Sequence, residues 1–346
     1  MKFIFSIFVT LGFAFAAFGQ SGRVKPTETP TPKPIRGPSV YILPKPTPKS
    51  TPKSEADEII KVDSVLVPIP VSVTDMSGRP VTNLKISDFE LKIDGRIVEI
   101  GDLARSETPI RLAMLFDNSS SVLIARDFER EAAVKFFRRV IRPDKDKAAL
   151  FSVADYTRLE MPITSEVSML TQAIEQIPEP RGATALLDGI IEVAEYLRSS
   201  NGRRVVIIVS DGEDTYSDVG TTLVAVVKAL QINDCQVYVV KTKDFENYKR
   251  TGVRGGNANI RSLTAERRMI EIAQQTGGAV YSPIDENEMN AAFTRISAEL
   301  SQQYILSYYP EAQADKGGDF RTISLTVKNK PNLTLRMRKG YYVPKK

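Results

Sequence analysis

Oxygen-bearing side chains stand at three places along the chain, two of them directly after apolar segments. Asp117, Ser119 and Ser121 occupy alternating positions after one apolar run, and Asp211 follows another. Thr184 lies between them in a Gly-Ala-Thr sequence. Carboxylate and hydroxyl donors without thiolate or imidazole match the ligands that hard cations prefer. These residues therefore predict a metal site for Mg²⁺, with Mn²⁺ or Ca²⁺ less suited to it.

The charge of this donor set bears on what a bound cation does. If neutral hydroxyls fill much of the coordination shell and the carboxylates act partly through water, the ion stays electron-poor. An open coordination position then accepts a carboxylate from another protein. We therefore expect a protein partner that offers Asp or Glu.

Purely local roles also explain these residues, and this alternative stays open. Asp117 and Ser119 suit a helix N-cap, the Asp211 region suits a turn, and Thr184 suits another cap. Two further acids, Asp188 and Asp214, are kept out of the predicted metal site. Asp188 lies one helical turn past Thr184, where an acid in the first turn favours the helix dipole.

The composition removes several kinds of enzyme chemistry. The chain has no His, so it lacks the residue most often used for acid–base catalysis near neutral pH and the commonest transition-metal ligand. Cys235 is the single Cys, and its place before an apolar run predicts a buried structural thiol. Zinc hydrolase chemistry is disfavoured, and we expect a protein that is not an enzyme.

The predicted site must be positioned by a sheet whose strands end beside one another. Continuous apolar runs indicate strands buried on both faces of a mostly parallel sheet. Such runs cover residues 112–116, 148–154, 205–209, 237–240 and 279–282. Helical patterns alternate with them at about 127–140, 166–177, 186–198, 222–232, 264–275 and 286–303. The pattern predicts a doubly wound α/β fold, in which ligands bind beyond the carboxyl ends of the strands.

At these residues the sequence resembles the von Willebrand factor A family and its metal-ion-dependent adhesion site. Asp117, Ser119 and Ser121 match the D-x-S-x-S element of that family. Thr184 matches its lone threonine, and Asp211 matches the aspartate after its fourth strand. The resemblance implies a Rossmann-like fold and metal-dependent protein binding or adhesion.

The resemblance extends beyond the metal-site residues, with one departure. Residues 63–344 are similar to a bacterial von Willebrand A-related group, in which a D-F-E-L-K-I-D-G-like hairpin precedes the domain and a K-G-Y-Y-like ending follows it. The family usually has D-x-S-G-S-M, whereas Ser120 and Val122 occupy the Gly and Met positions here.

Alternating apolar residues before this region predict the first part of a smaller β unit. Residues 65–73 show strand periodicity, and Pro68 and Pro70 predict that this is an edge strand. Residues 89–93 and 97–100 predict a hairpin closed by Asp94-Gly95.

Alternation returns near the end of the chain. It covers residues 323–327 and 333–337, after an aromatic segment at 304–309. Because both ends are amphipathic β sequence, we expect them to meet in one small β-sandwich-like unit beside the α/β domain.

The N-terminus predicts export. Lys2 precedes the apolar run 3–17, and Ala17-Phe18-Gly19 places small residues at the −3 and −1 positions of a cleavage site before Gln20. An uncleaved membrane anchor is the alternative, but the run is shorter than the roughly 20 residues that a spanning helix needs. We expect a periplasmic, secreted or cell-surface protein.

A segment rich in Pro, Thr and Lys follows the predicted signal peptide. It holds nine prolines between residues 24 and 54, which predicts a disordered, extended spacer of the polyproline type. The predicted organisation is a signal peptide at 1–19, this linker at 20–56, an N-terminal β segment at 57–107, the α/β domain at 108–303 and a C-terminal β segment at 304–346.

The basic charge of the chain belongs to its N-terminal part. The chain has a net charge of +5, and residues 1–54 carry eight Lys or Arg against one Glu, which is +7. The remaining residues therefore carry −2. A mildly acidic folded part does not suit phosphate backbones, so no nucleic-acid partner is expected.

Residues 243–261 are polar, contain Gly and are basic in the middle. Their composition predicts a long loop after the strand at 237–240, and such loops are either functional or disordered. The loop either overhangs the metal face and shapes the choice of partner or is a solvated excursion.

Three classes of function follow from these patterns. A metal-dependent protein-binding module is favoured by the residue pattern and the resemblance. A structural envelope scaffold with a stabilising metal is the first alternative. A metal-dependent hydrolase is the second, and it lacks an evident base.

Overall fold

The computed structural model describes residues 66–105, 108–254, 259–310 and 317–344. The predicted signal peptide and the predicted linker lie outside these residues. None of the helices within the described ranges combines the length and apolar character needed to cross a membrane.

A six-stranded sheet forms the centre of the fold. Its strands are β5 (Ile110–Asp117), β6 (Lys147–Val153), β7 (Thr157–Thr164), β8 (Arg203–Ser210), β9 (Cys235–Lys241) and β10 (Val280–Tyr281). The strand order is β10-β9-β8-β5-β6-β7. Neighbouring strands pair in parallel except for β7, which pairs antiparallel with β6 at one edge.

Seven α-helices belong to the described chain. They are α1 (Arg126–Val140), α2 (Val167–Gln176), α3 (Leu186–Leu197), α4 (Leu223–Ile232), α5 (Lys243–Thr251), α6 (Ile260–Thr276) and α7 (Glu286–Gln302). The predicted doubly wound, mostly parallel α/β fold is confirmed. Strand β5 lies between β6 and β8, so the chain continues to one side of β5 first and later crosses to its other side.

The continuous apolar strands are explained by two cores, one on each face of the sheet. Alternate residues of β5 supply both: Leu112, Met114 and Phe116 pack with α1, α2, α5 and α7. Ala113 and Leu115 pack with α3, α4 and α6 on the opposite face. Burial on both faces removes the polar alternation that a solvated strand would show. Cys235 is buried in the second core, as predicted.

Two four-stranded antiparallel sheets flank the α/β part and share a third core. Their strands are β1 (Val67–Thr74), β2 (Phe89–Ile93), β3 (Arg96–Val98), β4 (Asp102–Arg105), β11 (Tyr304–Tyr308), β12 (Phe320–Val327), β13 (Thr334–Arg336) and β14 (Gly340–Tyr342). The strand orders are β13-β1-β11-β4 and β14-β12-β2-β3. Both ends of the described chain contribute, which confirms the predicted sandwich-like unit.

The hairpin prediction is confirmed, whereas the edge-strand prediction is wrong. Asp94 and Gly95 close the β2–β3 hairpin, both with positive φ. Strand β1 lies inside its sheet: its proline-bearing half pairs with β11 only, and Ser72 to Thr74 pair with β13. Pro68 and Pro70 leave one side without ladder donors, so the second partner begins only after them.

Two elements of the α/β part were not expected. Residues 243–251 form helix α5 rather than the first half of a long loop. Strand β7 at the sheet edge was also missed, because its half-buried sequence TRLEMPIT has no continuous apolar run. Helix α5 begins just after β9, near the carboxyl edge of the sheet where the predicted site is. Strand β7 starts at that edge and runs back to the opposite one, since it pairs antiparallel with β6.

Candidate metal-binding site

Asp117 is the last residue of β5, and its side chain is fully buried. Its carboxylate is held from two directions. The Ser119 backbone N–H donates to Oδ1 at 2.9 Å, and the Ser210 hydroxyl at the end of β8 donates to Oδ2 at 2.5 Å. Since β5 and β8 pair in parallel, their ends meet and place Asp117 beside the residues that follow β8.

Asp211 follows β8 directly and is also buried. Its Oδ1 accepts a hydrogen bond from the Glu213 backbone N–H at 2.9 Å, which closes a tight turn. Gly212 within that turn has a φ of +83°, a conformation that favours glycine. The Asp211 side chain therefore stabilises a turn through its Oδ1 atom. Its Oδ2 atom takes no part in that hydrogen bond.

Ser119 and Ser121 bring their hydroxyls together, with Oγ atoms 2.9 Å apart. Ser119 precedes a short 3₁₀ helix at Ser120–Val122, and its side chain makes no capping hydrogen bond. Helix α1 begins later, with Ala125 at its N-cap. The Ser119 side chain therefore does not cap a helix, which was the alternative role predicted for it.

Thr184 is buried in the loop before α3, and Ala185 rather than Thr184 is the N-cap residue. The Thr184 carbonyl accepts from the backbone N–H groups of Thr215 and Tyr216, at 2.8 and 3.0 Å. On its other side, the Gly182 carbonyl accepts from the Ser120 N–H at 3.3 Å. The loop is thereby tied both to the Asp117 loop and to the loop after Asp211.

Arg126, in the first turn of α1, stabilises the same edge of the central sheet. Its guanidinium donates to the carbonyls of Asp117 at 3.4 Å and of Ile177 and Pro178 at 3.3 and 3.1 Å. It also lies 4.8 Å from the centre of the Phe116 ring. Burial lowers the pKa of Arg126 to about 10, which still leaves it charged at neutral pH. No sequence motif pointed to this residue.

Repulsion from Asp211 disfavours the charge of the buried Asp117 carboxylate. Burial and then this repulsion raise the pKa of Asp117 to about 6, although the hydrogen bonds from Ser210 and Ser119 act in the opposite direction. A nearby divalent cation would lower the pKa of Asp117 again, because it favours the ionised form of that group.

Lys243, the first residue of α5, was not singled out from the sequence. Its ammonium lies 3.5 Å from Asp211 Oδ2 and 3.2 Å from Glu213 Oε1. Attraction to Asp211 and Glu213 raises the pKa of Lys243 even though burial acts to lower it. The sequence did not indicate a role for Lys243, because residues 243–261 were predicted as a loop.

The two acids kept out of the site have structural roles. Asp188, in the first turn of α3, accepts from the Asp218 N–H at 2.8 Å and the Thr221 hydroxyl at 2.5 Å. Asp214 accepts from the Leu187 N–H at 3.3 Å and the Ser217 hydroxyl at 2.6 Å. Both stabilise the loops around α3.

The donor set fits a hard cation. Asp117 and Asp211 supply carboxylate oxygens, and Ser119 and Ser121 supply adjacent hydroxyls at the same sheet edge. Within the described residues, no three Asp, Glu or Cys side chains form a metal cluster, so a cation here would depend on the hydroxyls as well as the two acids. Such a shell suits Mg²⁺, which keeps several waters.

Comparison with known proteins gives one match along the sequence and several weak structural likenesses. The model of the von Willebrand factor type A domain matches residues 112–293. No curated protein matches the chain.

Three solved structures illustrate the likenesses. A D319A mutant of the PilB minor pilin from Streptococcus sanguinis is 13% identical with a TM-score of 0.45, covering 57% of this chain and 62% of the pilin. A von Willebrand factor type A protein from Catenulispora acidiphila is 9% identical with a TM-score of 0.45, covering 82% of this chain and 75% of that one. The vWF domain of the type V pili tip protein Mfa5 from Porphyromonas gingivalis is 12% identical with a TM-score of 0.42, covering 55% and 94%.

These likenesses carry no functional weight, since all three TM-scores are below 0.5. The chain spans under two thirds of the pilin's length. The sequence match is different in kind, because residues 112–293 are more than half of the 346-residue chain. This protein belongs to the von Willebrand factor type A domain family.

Proposed function

We propose that the protein binds a divalent cation, preferably Mg²⁺, and uses it to hold an acidic side chain of a partner protein. Asp117, Ser119, Ser121, Thr184 and Asp211 would hold the cation, in the manner of a metal-ion-dependent adhesion site. A bound Mg²⁺ supplies a Lewis-acidic coordination position that a carboxylate can fill. Mn²⁺ or Ca²⁺ would serve less well.

One observation carries this proposal: two buried carboxylates and a pair of hydroxyls converge where β5 and β8 end. Asp117 and Asp211 repel each other, and this repulsion contributes to the raised pKa of Asp117. Burying two acids together costs stability unless a positive charge offsets it. A site that gains stability from a cation is a natural place for one to bind.

The surroundings of the site suit a protein partner. Large apolar side chains are exposed in loops that carry the proposed ligands: Leu123, Ile124 and Tyr216. Tyr156 is exposed in the connection between β6 and β7. Exposed Tyr and Leu side chains beside a polar centre are common at protein interfaces. We infer that the partner's acidic residue is flanked by apolar residues.

Two alternatives are less well supported. A hydrolase needs a base near the activated water, and the chain has no His. In a structural scaffold, the cation would serve only to stabilise the fold. That function would leave the exposed apolar side chains around the site unexplained.

We also propose that the protein is exported across the inner membrane, because its first 19 residues have the pattern of a signal peptide. Expression of the full chain, followed by cell fractionation and N-terminal sequencing, tests this. A mature protein that begins at Gln20 in the exported fraction is expected, and an intact N-terminus in the cytoplasm would contradict it.

The experiment that tests the metal site compares wild type with Asp117→Asn and with Asp127→Asn. Asp127 is an exposed acid in the first turn of α1 and serves as the matched control. Isothermal titration with Mg²⁺ should show binding by wild type and Asp127→Asn and none by Asp117→Asn.

Capture of partner protein from envelope extract is measured on the same proteins in Mg²⁺ and in EDTA. Capture that requires Mg²⁺ and fails in Asp117→Asn supports the proposed function. Capture that is unchanged by EDTA would sink it, and metal-dependent turnover of a phosphoester or peptide would favour the hydrolase instead.

A further inference from the structure

Lys243 places a positive charge at the candidate metal site, in addition to the charge that a bound cation would bring. It follows β9, whose carboxyl end lies beside that of β8 because the two strands pair in parallel, with Ser210 opposite Lys241. This register brings the Lys243 ammonium to within 3.5 Å of Asp211 Oδ2 and 3.2 Å of Glu213 Oε1. The side chain is mostly buried, with an exposed fraction of 25%.

The ammonium faces the oxygen that a cation would need. Asp211 Oδ1 already accepts the Glu213 backbone N–H at 2.9 Å, so Oδ2 is the oxygen with spare capacity for a ligand bond. The Lys243 ammonium lies 3.5 Å from this Oδ2. A divalent cation coordinated there would meet a positive charge at close range in a partly buried setting, where screening by water is weak.

Neighbouring lysines do not share this position. Lys241 pairs with Asp244 at 3.6 Å and Glu266 at 3.2 Å. Lys249, further along α5, pairs with Glu286 and lies over the Phe128 ring. Lys243 is therefore distinguished by its contact with a proposed metal ligand rather than by charge alone.

We propose that Lys243 is a built-in competitor of the divalent cation and sets the affinity of the site. In the metal-free protein its ammonium neutralises Asp211 together with Glu213. A bound cation would compete with the ammonium for Asp211, and Lys243 would keep its contact with Glu213. This inference rests on the proposed metal site for the identity of the cation, and it adds the residue that weakens binding.

The test compares wild type, Lys243→Met and Lys249→Met in the full chain. Methionine keeps most of the side-chain length and removes the charge, and Lys249→Met makes the same change elsewhere on α5. Isothermal titration with Mg²⁺ should show about tenfold tighter binding by Lys243→Met, because a nearby like charge is gone. Lys249→Met should match wild type within about twofold.

A second readout uses thermal unfolding. In EDTA, Lys243→Met should melt below wild type, since Asp211 and Glu213 lose their counter-charge. Saturating Mg²⁺ should raise its melting temperature by more than it raises that of wild type. Equal shifts in both proteins would contradict the proposal.

The outcomes separate this inference from the proposed function. If both proteins bind Mg²⁺ with equal affinity, the competitor role is overturned and the metal site stands. If only Lys243→Met binds, the competitor role is supported and metal dependence of the wild-type protein is overturned. If neither binds, both proposals fall.

Discussion

Buried acids dominate the chemistry of this protein at the scale of single residues. Glu129 on α1 is fully buried, and neither of its carboxylate oxygens has a hydrogen-bond partner among the described residues. Burial and repulsion from Glu246 hold the pKa of Glu129 well above its usual range. Burial and repulsion from Asp211 raise the pKa of Glu246 to about 8, against the effect of Lys243. Glu246 is therefore mostly neutral at pH 7.

The first prediction concerns Glu246→Gln and the dependence of stability on pH. The pKa of Glu246 is raised in the folded state, from 4.5 to about 8, so its contribution to stability is present at low pH and is lost as pH rises through that range. Gln stays neutral, so the variant should lose less stability between pH 5 and 8. At pH 8 it should gain on the order of 4 kcal/mol over wild type.

Urea unfolding followed by circular dichroism in EDTA, at several pH values, measures this effect. Glu131→Gln is the control, because Glu131 is an exposed acid paired with Lys135 on the surface of α1. A Glu246→Gln profile parallel to wild type would show that Glu246 does not titrate in this range.

The second prediction concerns the proton that competes with the cation at Asp117. A metal ligand must be deprotonated to bind, and the pKa of Asp117 is raised to about 6. Affinity for Mg²⁺ should therefore rise by about tenfold per unit of pH below 6 and level off above about pH 7. Titration calorimetry from pH 5 to 8 measures it, and constant affinity across that range would contradict the assignment of Asp117 as a ligand.

At the scale of elements, helix α5 shows why a local pattern was misread. Asp244 and Glu246 stand in its first turn, Lys249 and Arg250 in its last, and Gly252 ends it in the left-handed conformation. These are ordinary start and stop signals of a helix. The polar composition and the glycines that follow hid them, because only Phe245 and Glu246 are buried.

Helix α6 ends against the flanking β unit, and its last turn leads to the third prediction. Gly277 ends α6 with a φ of +82°, and a Cβ there would lie 2.4 Å from the Met337 backbone. Gly252 ends α5 with a φ of +70° and has nothing within 4 Å of such a Cβ. The two glycines share a conformation and differ in their surroundings.

Gly277→Ala should therefore destabilise the protein by about 3 kcal/mol or more, and Gly252→Ala by only about 1 kcal/mol. Chemical denaturation of the two variants measures the difference. Similar losses would mean that backbone strain alone matters and that the contact with Met337 relaxes without cost.

At the scale of the whole molecule, a buried polar network joins the α/β part to the flanking sheets. The Gln303 amide donates to Ser72 in β1 at 2.9 Å and to Gln236 and Tyr238 in β9 at 3.0 and 3.2 Å. Its oxygen accepts from the guanidinium of Arg203, which is buried. One side chain thus connects strands of two sheets.

The fourth prediction is that Gln303→Ala lowers stability by about 2–4 kcal/mol, because it leaves Arg203 and Ser72 with fewer partners in a buried place. Gln231→Ala is the control, since Gln231 is also buried, but among the described residues its amide nitrogen makes only hydrogen bonds of 3.5 Å to Gln275. Differential scanning calorimetry measures both. Equal losses would show that the network contributes no more than an ordinary buried amide.

Much of this architecture follows from the sequence alone. Apolar runs of strand length determine the sheet, because a strand buried on both faces can carry few polar residues. The oxygen donors after two of those runs had to meet at one edge, since parallel strands end on the same side. Asp117 and Asp211 were found in this way, and Thr184 was identified by its hydroxyl in the loop between them.

Other features were decided only by the tertiary structure. The prolines of β1 do not reveal which strands pair with it, because pairing depends on β11 and β13, which lie more than 200 residues away. Lys243 and Asp211 are 32 residues apart, and they meet because β8 and β9 pair in one register. Strand order and register arise from burial of the whole core. The sequence therefore predicted the ligands of the candidate site, and the fold determined that Lys243 contacts one of them, Asp211.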